Sequence, residues 1–161
     1  MVFVTLGSQK FQFNRLLRAI DELCAKGEIG EAVFAQIGYS DYEPKKYTYK
    51  QFLNRQEFAE IMDKADIVIT HGGTGAIIGA VKRGKKVIAV PRLAKYQEHV
   101  DDHQIQLLEQ FSEMNLIQVC LECDGLGEAL AEVRNKKFSR YTSNTEAIIG
   151  SIEEFIESNM E

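Results

Sequence analysis

Short apolar runs alternate with helix-spaced segments along the chain, and this alternation limits the fold more than any other feature. Apolar runs occur at 2–6, 32–38, 66–70 and 86–90, and the residues between them carry apolar side chains every three or four positions. Such spacing predicts helices between strands. Strands that are apolar throughout are typical of a parallel sheet with helices on both faces. We therefore expect an α/β fold, a doubly wound, mostly parallel Rossmann-like sheet, in a single domain over residues 1–161.

The weaker patterns complete this prediction. They indicate strands at 47–53 and 116–120, and helices at 11–26, 55–65, 74–83, 125–134 and 142–158, with one more helix that ends near Glu113. In open parallel sheets, ligands bind outside the carboxyl ends of the strands. The turns that follow the predicted strands are therefore the places to look for a site.

One such turn, in VITHGGTGAIIGAV (68–81), passes from an apolar strand through glycines into a helix. Gly72 and Gly73 permit positive φ and let a bulky anion approach the backbone. Thr74 is predicted to cap the helix, whose first N–H groups and dipole favour an anion. A tight turn without a ligand explains an isolated Gly-Gly equally well, and the G-x-G-x-x-G spacing of dinucleotide folds is absent.

A second polar segment follows the strand at 86–90, in PRLAKYQEHVDDHQ (91–104). Two of the three histidines lie there, and His71 opens the glycine turn. An acidic helix start also explains the carboxylates of this segment, because carboxylates favour helix N-termini. His99 and His103 are four residues apart, which suits zinc on a helix, but no H-E-x-x-H is present and we expect no metal site.

Charge, length and cysteines exclude several classes of protein. Net charge is -5, with 19 Lys and Arg against 24 Asp and Glu, which argues against a nucleic-acid surface. No apolar run approaches the roughly 20 residues of a membrane helix, and no signal peptide is recognisable, so a cytoplasmic protein is expected. Cys24, Cys120 and Cys123 form an odd set without a second C-x-x-C pair. We expect them to be structural or incidental, without redox or metal chemistry.

Four motifs together resemble a known family. VFVTLGSQ, ADIVITHGGTGAI, GKKVIAVPR and EHVDDHQ are similar, in this order, to the C-terminal, donor-binding domain of MurG-like glycosyltransferases of family 28. They resemble most the small, PssE-like subunits of split bacterial polysaccharide glycosyltransferases. The resemblance covers Val2 to about Gly127 and implies one half of a GT-B fold, with the active site in a cleft between two such domains.

The resemblance implies an activity and a set of partners. The chain would be the donor-binding subunit of a two-component inverting glycosyltransferase in capsule or exopolysaccharide biosynthesis. It would transfer a hexose from a UDP-sugar to a lipid-linked saccharide, without a cofactor or a metal. A membrane-tethered acceptor-binding subunit would complete the enzyme and hold this chain at the inner face of the membrane. Without that partner, the chain can self-associate.

The resemblance also implies roles for individual residues. His71 is the catalytic candidate, as a contact to the transferred sugar or its oxygen. The donor-binding candidates lie in the two glycine turns and in the EHVDDHQ segment: Gly7, Ser8, Gln9, Gly72, Gly73, Thr74, Glu98, His99, Asp102, His103 and Gln104. One residue departs from the family pattern, since Gly79 stands where relatives carry a glutamate that binds the ribose. Glu98 is the candidate substitute.

Other functions remain compatible with the sequence alone. A non-enzymatic nucleotide-binding or interaction module would explain the glycine turns as well as an enzyme does. A sugar-nucleotide epimerase would need a second domain in the same chain, and a receiver domain would need an acidic phosphoacceptor at the end of the strand at 47–53, where none is present.

Overall fold

The computed structural model describes residues 1–7, 11–71, 73–92 and 103–158. The strands are β1 (Val2–Thr5), β2 (Val33–Gln36), β3 (Thr48–Lys50), β4 (Ile67–Thr70), β5 (Lys86–Ala89) and β6 (Gln118–Val119). The helices are α1 (Asn14–Ala25), α2 (Arg55–Lys64), α3 (Thr74–Lys82), α4 (His103–Glu113), α5 (Leu126–Asn135) and α6 (Ser143–Ser158), and a 3₁₀ turn at Cys123–Gly125 precedes α5.

The six strands form one sheet in the order β3-β2-β1-β4-β5-β6, and every described pair is parallel. The strand order reverses between β1 and β4, where Thr5 pairs with Thr70. A crevice for ligands opens at such a switch point, at the carboxyl ends of the strands. The predicted α/β class, with a doubly wound parallel sheet, is confirmed.

Two hydrophobic clusters cover the two faces of the sheet. On one face α1 and α5 pack against Val4 and Ile69, and on the other face α2, α3, α4 and α6 pack against Phe3 and Val68. Side chains of successive strand residues point to opposite faces, so the central strands must be apolar throughout. The burial of all four residues in both β1 and β4 meets this requirement.

The two edge strands are shorter than the sequence predicts. Regular pairing in β3 covers three residues of the predicted 47–53, and in β6 two of the predicted 116–120. Each of these strands has one neighbour in the sheet, so only one ladder of hydrogen bonds defines its length. The first helix also starts three residues later than predicted, because Phe13 has a non-helical backbone at φ -138° and ψ 49°. Its backbone N–H donates to the Ser40 hydroxyl.

No helix in the described ranges combines the length and the apolar character needed to cross a membrane.

Candidate functional site

The turns after β1 and β4 meet on the ring of His71. A Cβ added to Gly7 would lie 2.7 Å from His71 Nε2, and one added to Gly73 would lie 2.6 Å from Cε1 and 2.7 Å from Nε2. Gly7 also has a φ of 68°, which side-chain-bearing residues rarely adopt. His71 itself is only 4% exposed. Both glycine turns therefore approach one buried imidazole, and neither has room for a methyl group.

Arg92 forms hydrogen bonds with His71 and with the turn after β1. Its side chain is 2% exposed, and one terminal nitrogen lies 3.1 Å from His71 Nδ1 while the other donates to the carbonyl oxygens of Leu6 and Phe11 at 3.0 and 3.2 Å. A guanidinium can only donate, so His71 Nδ1 accepts, and a neutral imidazole then carries its proton on Nε2. The buried cation thus joins the loop after β5 to the turns after β1 and β4.

The sequence alone does not single out Arg92. Its only signal is a charged residue directly after an apolar strand and a proline, in KVIAVPR. Arginines of this kind are usually exposed, and burial becomes evident only when the carbonyl oxygens that receive its hydrogen bonds are placed in space.

Helix α3 begins at the same point of the sheet, and the predicted cap is wrong in detail. Gly73 is the N-cap residue and Thr74 is the first helical residue, and no side chain caps the helix. The φ of Gly73 is -69°, so this glycine is required by the nearby His71 ring rather than by a positive φ. Gly75 is exposed, and the first N–H groups of α3 have no acceptor within the helix. The turn can therefore present backbone donors to an anion.

A row of buried polar side chains lies just beneath the two turns. Thr5, Gln36 and Thr70 are the last residues of β1, β2 and β4, and all are buried. The Thr5 hydroxyl donates to Gln36 Oε1 at 3.0 Å, whereas Thr70 Oγ1 has no hydrogen-bond partner among the described residues. Each of them is a polar residue at the end of a strand that is otherwise mostly apolar. This pattern is the sequence signal that could have identified the row.

An exposed aromatic pair extends the same edge toward β3. Tyr39 and Phe52 are 47% and 42% exposed, and their rings meet edge to face with centroids 5.2 Å apart. Gly38 connects this pair to the first glycine turn, because a Cβ there would lie 2.9 Å from the carbonyl oxygen of Gly7. Exposed aromatic faces are suitable for stacking on a nucleobase.

Hydrogen bonds on either side hold these loops in place. The carboxylate of Asp21, on α1, accepts from the Tyr42 hydroxyl at 2.6 Å and from the backbone N–H groups of Lys45 and Lys46. This hydrogen bond raises the pKa of Tyr42. At the start of α2, the Lys50 ammonium donates a hydrogen bond to the Glu57 carboxylate, and this bond lowers the pKa of Glu57.

Two of the three cysteines, Cys120 and Cys123, contribute to the packing of the same edge. Cys120 Sγ donates to the carbonyl oxygen of Glu122, and burial raises the pKa of this thiol. Cys123 Sγ accepts from Arg15, whose other terminal nitrogen donates to the carbonyl oxygen of Pro91 at 3.4 Å. These contacts agree with the predicted structural role.

Several predicted site residues lie outside the described residues, or have side chains outside them. Those outside are Ser8, Gln9, Gly72, Glu98, His99 and Asp102. His103 and Gln104 form the first turn of α4, without described side chains. Since β5 and β6 are parallel, α4 runs back from the carboxyl edge, so its first turn lies toward the edge that carries Gly7, His71 and Gly73. Of the predicted set, the structure thus brings these three and Thr74 together.

Comparison with known proteins identifies the family. Residues 1–158 match the family model described as the glycosyltransferase family 28 C-terminal domain. The chain belongs to this family. The resemblance inferred from the four motifs is confirmed, and the parallel sheet is one half of a GT-B fold.

Two curated relatives and one solved structure agree with this membership. The human UDP-N-acetylglucosamine transferase subunit ALG13 is 25% identical over 146 residues, which is 84% of this chain and 12% of that protein. The UDP-N-acetylglucosamine–N-acetylmuramyl-(pentapeptide) pyrophosphoryl-undecaprenol N-acetylglucosamine transferase of Geobacillus kaustophilus is 28% identical over 155 residues, 88% of this chain and 40% of that protein. The NMR solution structure of ALG13 superposes with a TM-score of 0.63 at 19% identity, covering 91% of both chains, and supports the fold.

The chain spans well under half the length of these curated relatives, 12% of the human protein and 40% of the bacterial enzyme. Family membership establishes a C-terminal, donor-type domain of a glycosyltransferase, and the activity of a whole enzyme remains a proposal.

Proposed function

We propose that this chain is the donor-binding subunit of a two-component inverting glycosyltransferase. In this proposal it binds a UDP-sugar at the carboxyl edge of its sheet, and a membrane-tethered partner presents a lipid-linked saccharide acceptor in capsule or exopolysaccharide biosynthesis. The chain would then act at the cytoplasmic face of the membrane, held there by its partner. One relative is itself named as a subunit of a transferase, which supports the two-component arrangement.

The observation that carries the proposal is the convergence of two turns on one buried histidine at the start of α3. Gly7 and Gly73 each approach the His71 ring too closely for a Cβ, so both turns pack directly against this imidazole at the start of α3. The amides at the N-terminus of α3 offer donors and a positive dipole end to a diphosphate. The proposed donor-binding set is the one predicted above, including Ser8, Gln9, Gly72, Glu98, His99, Asp102, His103 and Gln104.

Transfer of the sugar leaves UDP, whose growing negative charge has to be stabilised. Preorganised N–H donors aimed at the diphosphate perform this task without a metal ion. His71, held neutral by Arg92 at Nδ1, would contact the transferred sugar or its oxygen as a hydrogen-bond donor. The general base that deprotonates the acceptor hydroxyl would come from the partner. Phe52 and Tyr39 would stack on the uracil.

Thermal denaturation with and without UDP tests the donor site. At a UDP concentration about 100 times Kd, binding adds about 2.7 kcal/mol, which raises Tm by roughly 5–10 °C in a chain of this size. Uridine without phosphates should give a much smaller shift. Phe52→Ala should weaken UDP binding about tenfold, since stacking on one base contributes roughly 1–3 kcal/mol. Absence of any shift at saturating UDP would contradict the donor site.

Reconstitution tests the two-component arrangement. Co-expression with a membrane-tethered glycosyltransferase subunit should produce transfer activity that neither chain has alone. UDP-N-acetylglucosamine is the first donor to try, because the relatives' names specify N-acetylglucosamine transfer, and UDP-glucose and UDP-galactose are the comparisons. UDP binding without transfer under any of these conditions would favour a nucleotide-binding module instead.

A further inference from the structure

A cavity rich in positive charge lies at the amino edge of the sheet, opposite the carboxyl edge that carries the glycine turns. It has a volume of about 640 Å³ and is lined mainly by two segments, KRGKK (82–86) and KKFSR (136–140). Four lysines and arginines come from the first segment and three from the second, so seven of the 19 in the chain meet here. No Asp or Glu is among the described residues that line it. This concentration is unexpected in a chain with a net charge of -5.

The fold, and not sequence proximity, creates this cavity. The first segment runs from the end of α3 to the first residue of β5, Lys86, at the amino edge of the sheet. Helix α5 follows the parallel strand β6 and returns to the amino edge, where it ends at Asn135. The second segment therefore starts at the same edge. The donor turns lie at the carboxyl edge, and four-residue strands are roughly 13 Å long. A ligand in the cavity would therefore leave the donor turns accessible.

Hydrogen bonds to neutral oxygens hold several of these cations without neutralising them. The Nζ atoms of Lys85 and Lys86 donate to the carbonyl oxygens of Asp63 and Arg134 at 3.1 and 2.8 Å. Lys136 Nζ donates to Gln118 Oε1 at 3.0 Å. A carboxylate does approach from outside the lining, because Asp63 pairs with Arg83. Clustered like charges of this kind concentrate anions from solution.

Two aromatic rings shape the cavity wall. The Lys82 ammonium lies 5.2 Å from the centre of the Tyr141 ring, and the Lys136 ammonium lies 5.2 Å from the centre of the Phe138 ring. The Tyr141 hydroxyl is buried and has no hydrogen-bond partner among the described residues. A buried hydroxyl without a partner is costly, and Tyr141 is one of the residues that line the cavity.

We propose that this cavity is a second anion site, which binds a phosphate-bearing ligand independently of the donor turns. Phosphate oxygens match the chemistry of the wall, since ammonium, guanidinium and hydroxyl groups all donate to them. The volume is in the range of small-molecule sites. Two sources carry this chemistry: a soluble di- or triphosphate, and the headgroup of an anionic phospholipid. The site does not depend on the proposed transferase activity.

Titration of the full chain with inorganic diphosphate, followed by backbone amide NMR, tests the proposal. Shifts are expected in residues 82–86 and 136–141, as a set separate from any shifts in the turns after β1 and β4. Lys137→Glu/Arg140→Glu should weaken binding about tenfold or more, since it reverses two exposed charges of the lining. Lys45→Glu/Lys46→Glu makes the same change in net charge at exposed residues outside the cavity, and it should leave affinity within about twofold.

Sedimentation with vesicles distinguishes the two sources of phosphate. Binding to phosphatidylglycerol-containing vesicles, but not to phosphatidylcholine alone, and its loss in Lys137→Glu/Arg140→Glu, would assign the site to a lipid headgroup. Diphosphate binding without vesicle binding would assign it to a soluble ligand. The proposal is overturned if neither probe binds, or if both double variants lose affinity equally. Failure of UDP to bind would refute the donor site and leave this result unaffected.

Discussion

Replacing Gly73 with alanine should destabilise the protein through a single steric contact. The added Cβ would lie 2.6 Å from His71 Cε1 and 2.7 Å from Nε2, closer than real Cβ atoms approach other heavy atoms. The backbone of Gly73, at φ -69° and ψ 128°, is comfortable for alanine. The cost must therefore come from moving the imidazole, which is buried and bonded to Arg92 through Nδ1.

The expected magnitude follows from this geometry. Inserting one methyl group into a tightly packed position costs about 1–3 kcal/mol, and a loss of ~2 kcal/mol lowers Tm by roughly 4–8 °C in a chain of this size. Gly79→Ala in the same helix is the matched control. A Cβ at Gly79 meets nothing within 4 Å, so that change should stabilise the protein by roughly 0.5–1 kcal/mol through helix propensity.

A double-mutant cycle with His71→Ala isolates the contact. Urea denaturation gives the free energy of unfolding for the wild type, both single variants and the double variant. Without the imidazole, the methyl group at position 73 has room, so the cost of Gly73→Ala should disappear, for a coupling of about 1–3 kcal/mol. The site reasoning is refuted if Gly73→Ala is as harmless as Gly79→Ala, or if its cost persists unchanged in the His71→Ala background.

Three further predictions concern the donor site and the loops that support it. Gly79→Glu introduces the carboxylate that the family resemblance predicts for ribose binding, at a position where a Cβ meets nothing within 4 Å. This change should tighten UDP binding about tenfold, whereas Gly79→Gln should not; equal affinities in calorimetry would place the ribose elsewhere. Asp21→Ala removes a buried carboxylate that accepts hydrogen bonds from the Tyr42 hydroxyl and from two backbone N–H groups. The free energy of unfolding, measured by urea denaturation, should fall by about 2–3 kcal/mol. Glu22→Ala, at the adjacent exposed position, should change it by almost nothing; a similar loss in both variants would contradict the role of the Asp21 carboxylate. The pKa of Glu57 is lowered mainly by Lys50, so its contribution to stability is present above the ordinary glutamate pKa and lost as pH falls through the lowered value. Glu57→Gln should be less stable than wild type near pH 6, and the two should converge as the pH falls below the lowered pKa of Glu57; a gap that is constant with pH would exclude the ion pair as its cause.

The sequence by itself determined the fold class, because burial on both faces leaves a readable pattern. A strand such as VFVT or IVIT must be apolar at nearly every position to lie between two layers of helices. The alternation with helix-spaced segments then allows few other arrangements. The structure also brings together Gly7, His71 and Gly73, which the family motifs singled out. Local pattern was less informative at the sheet edges, where β3 and β6 proved shorter than predicted.

Only the tertiary structure decided which contacts give those residues their roles. The sequence predicted that Gly73 permits a positive φ, yet its φ is -69°, which any residue can adopt. The glycine is required because a Cβ there would collide with the His71 imidazole. Arg92 reads as one more surface cation until carbonyl oxygens from two distant loops surround its guanidinium. The basic cavity likewise joins segments about 50 residues apart. Distances between residues far apart in sequence depend on how strands and helices pack, and no local pattern of side chains encodes them.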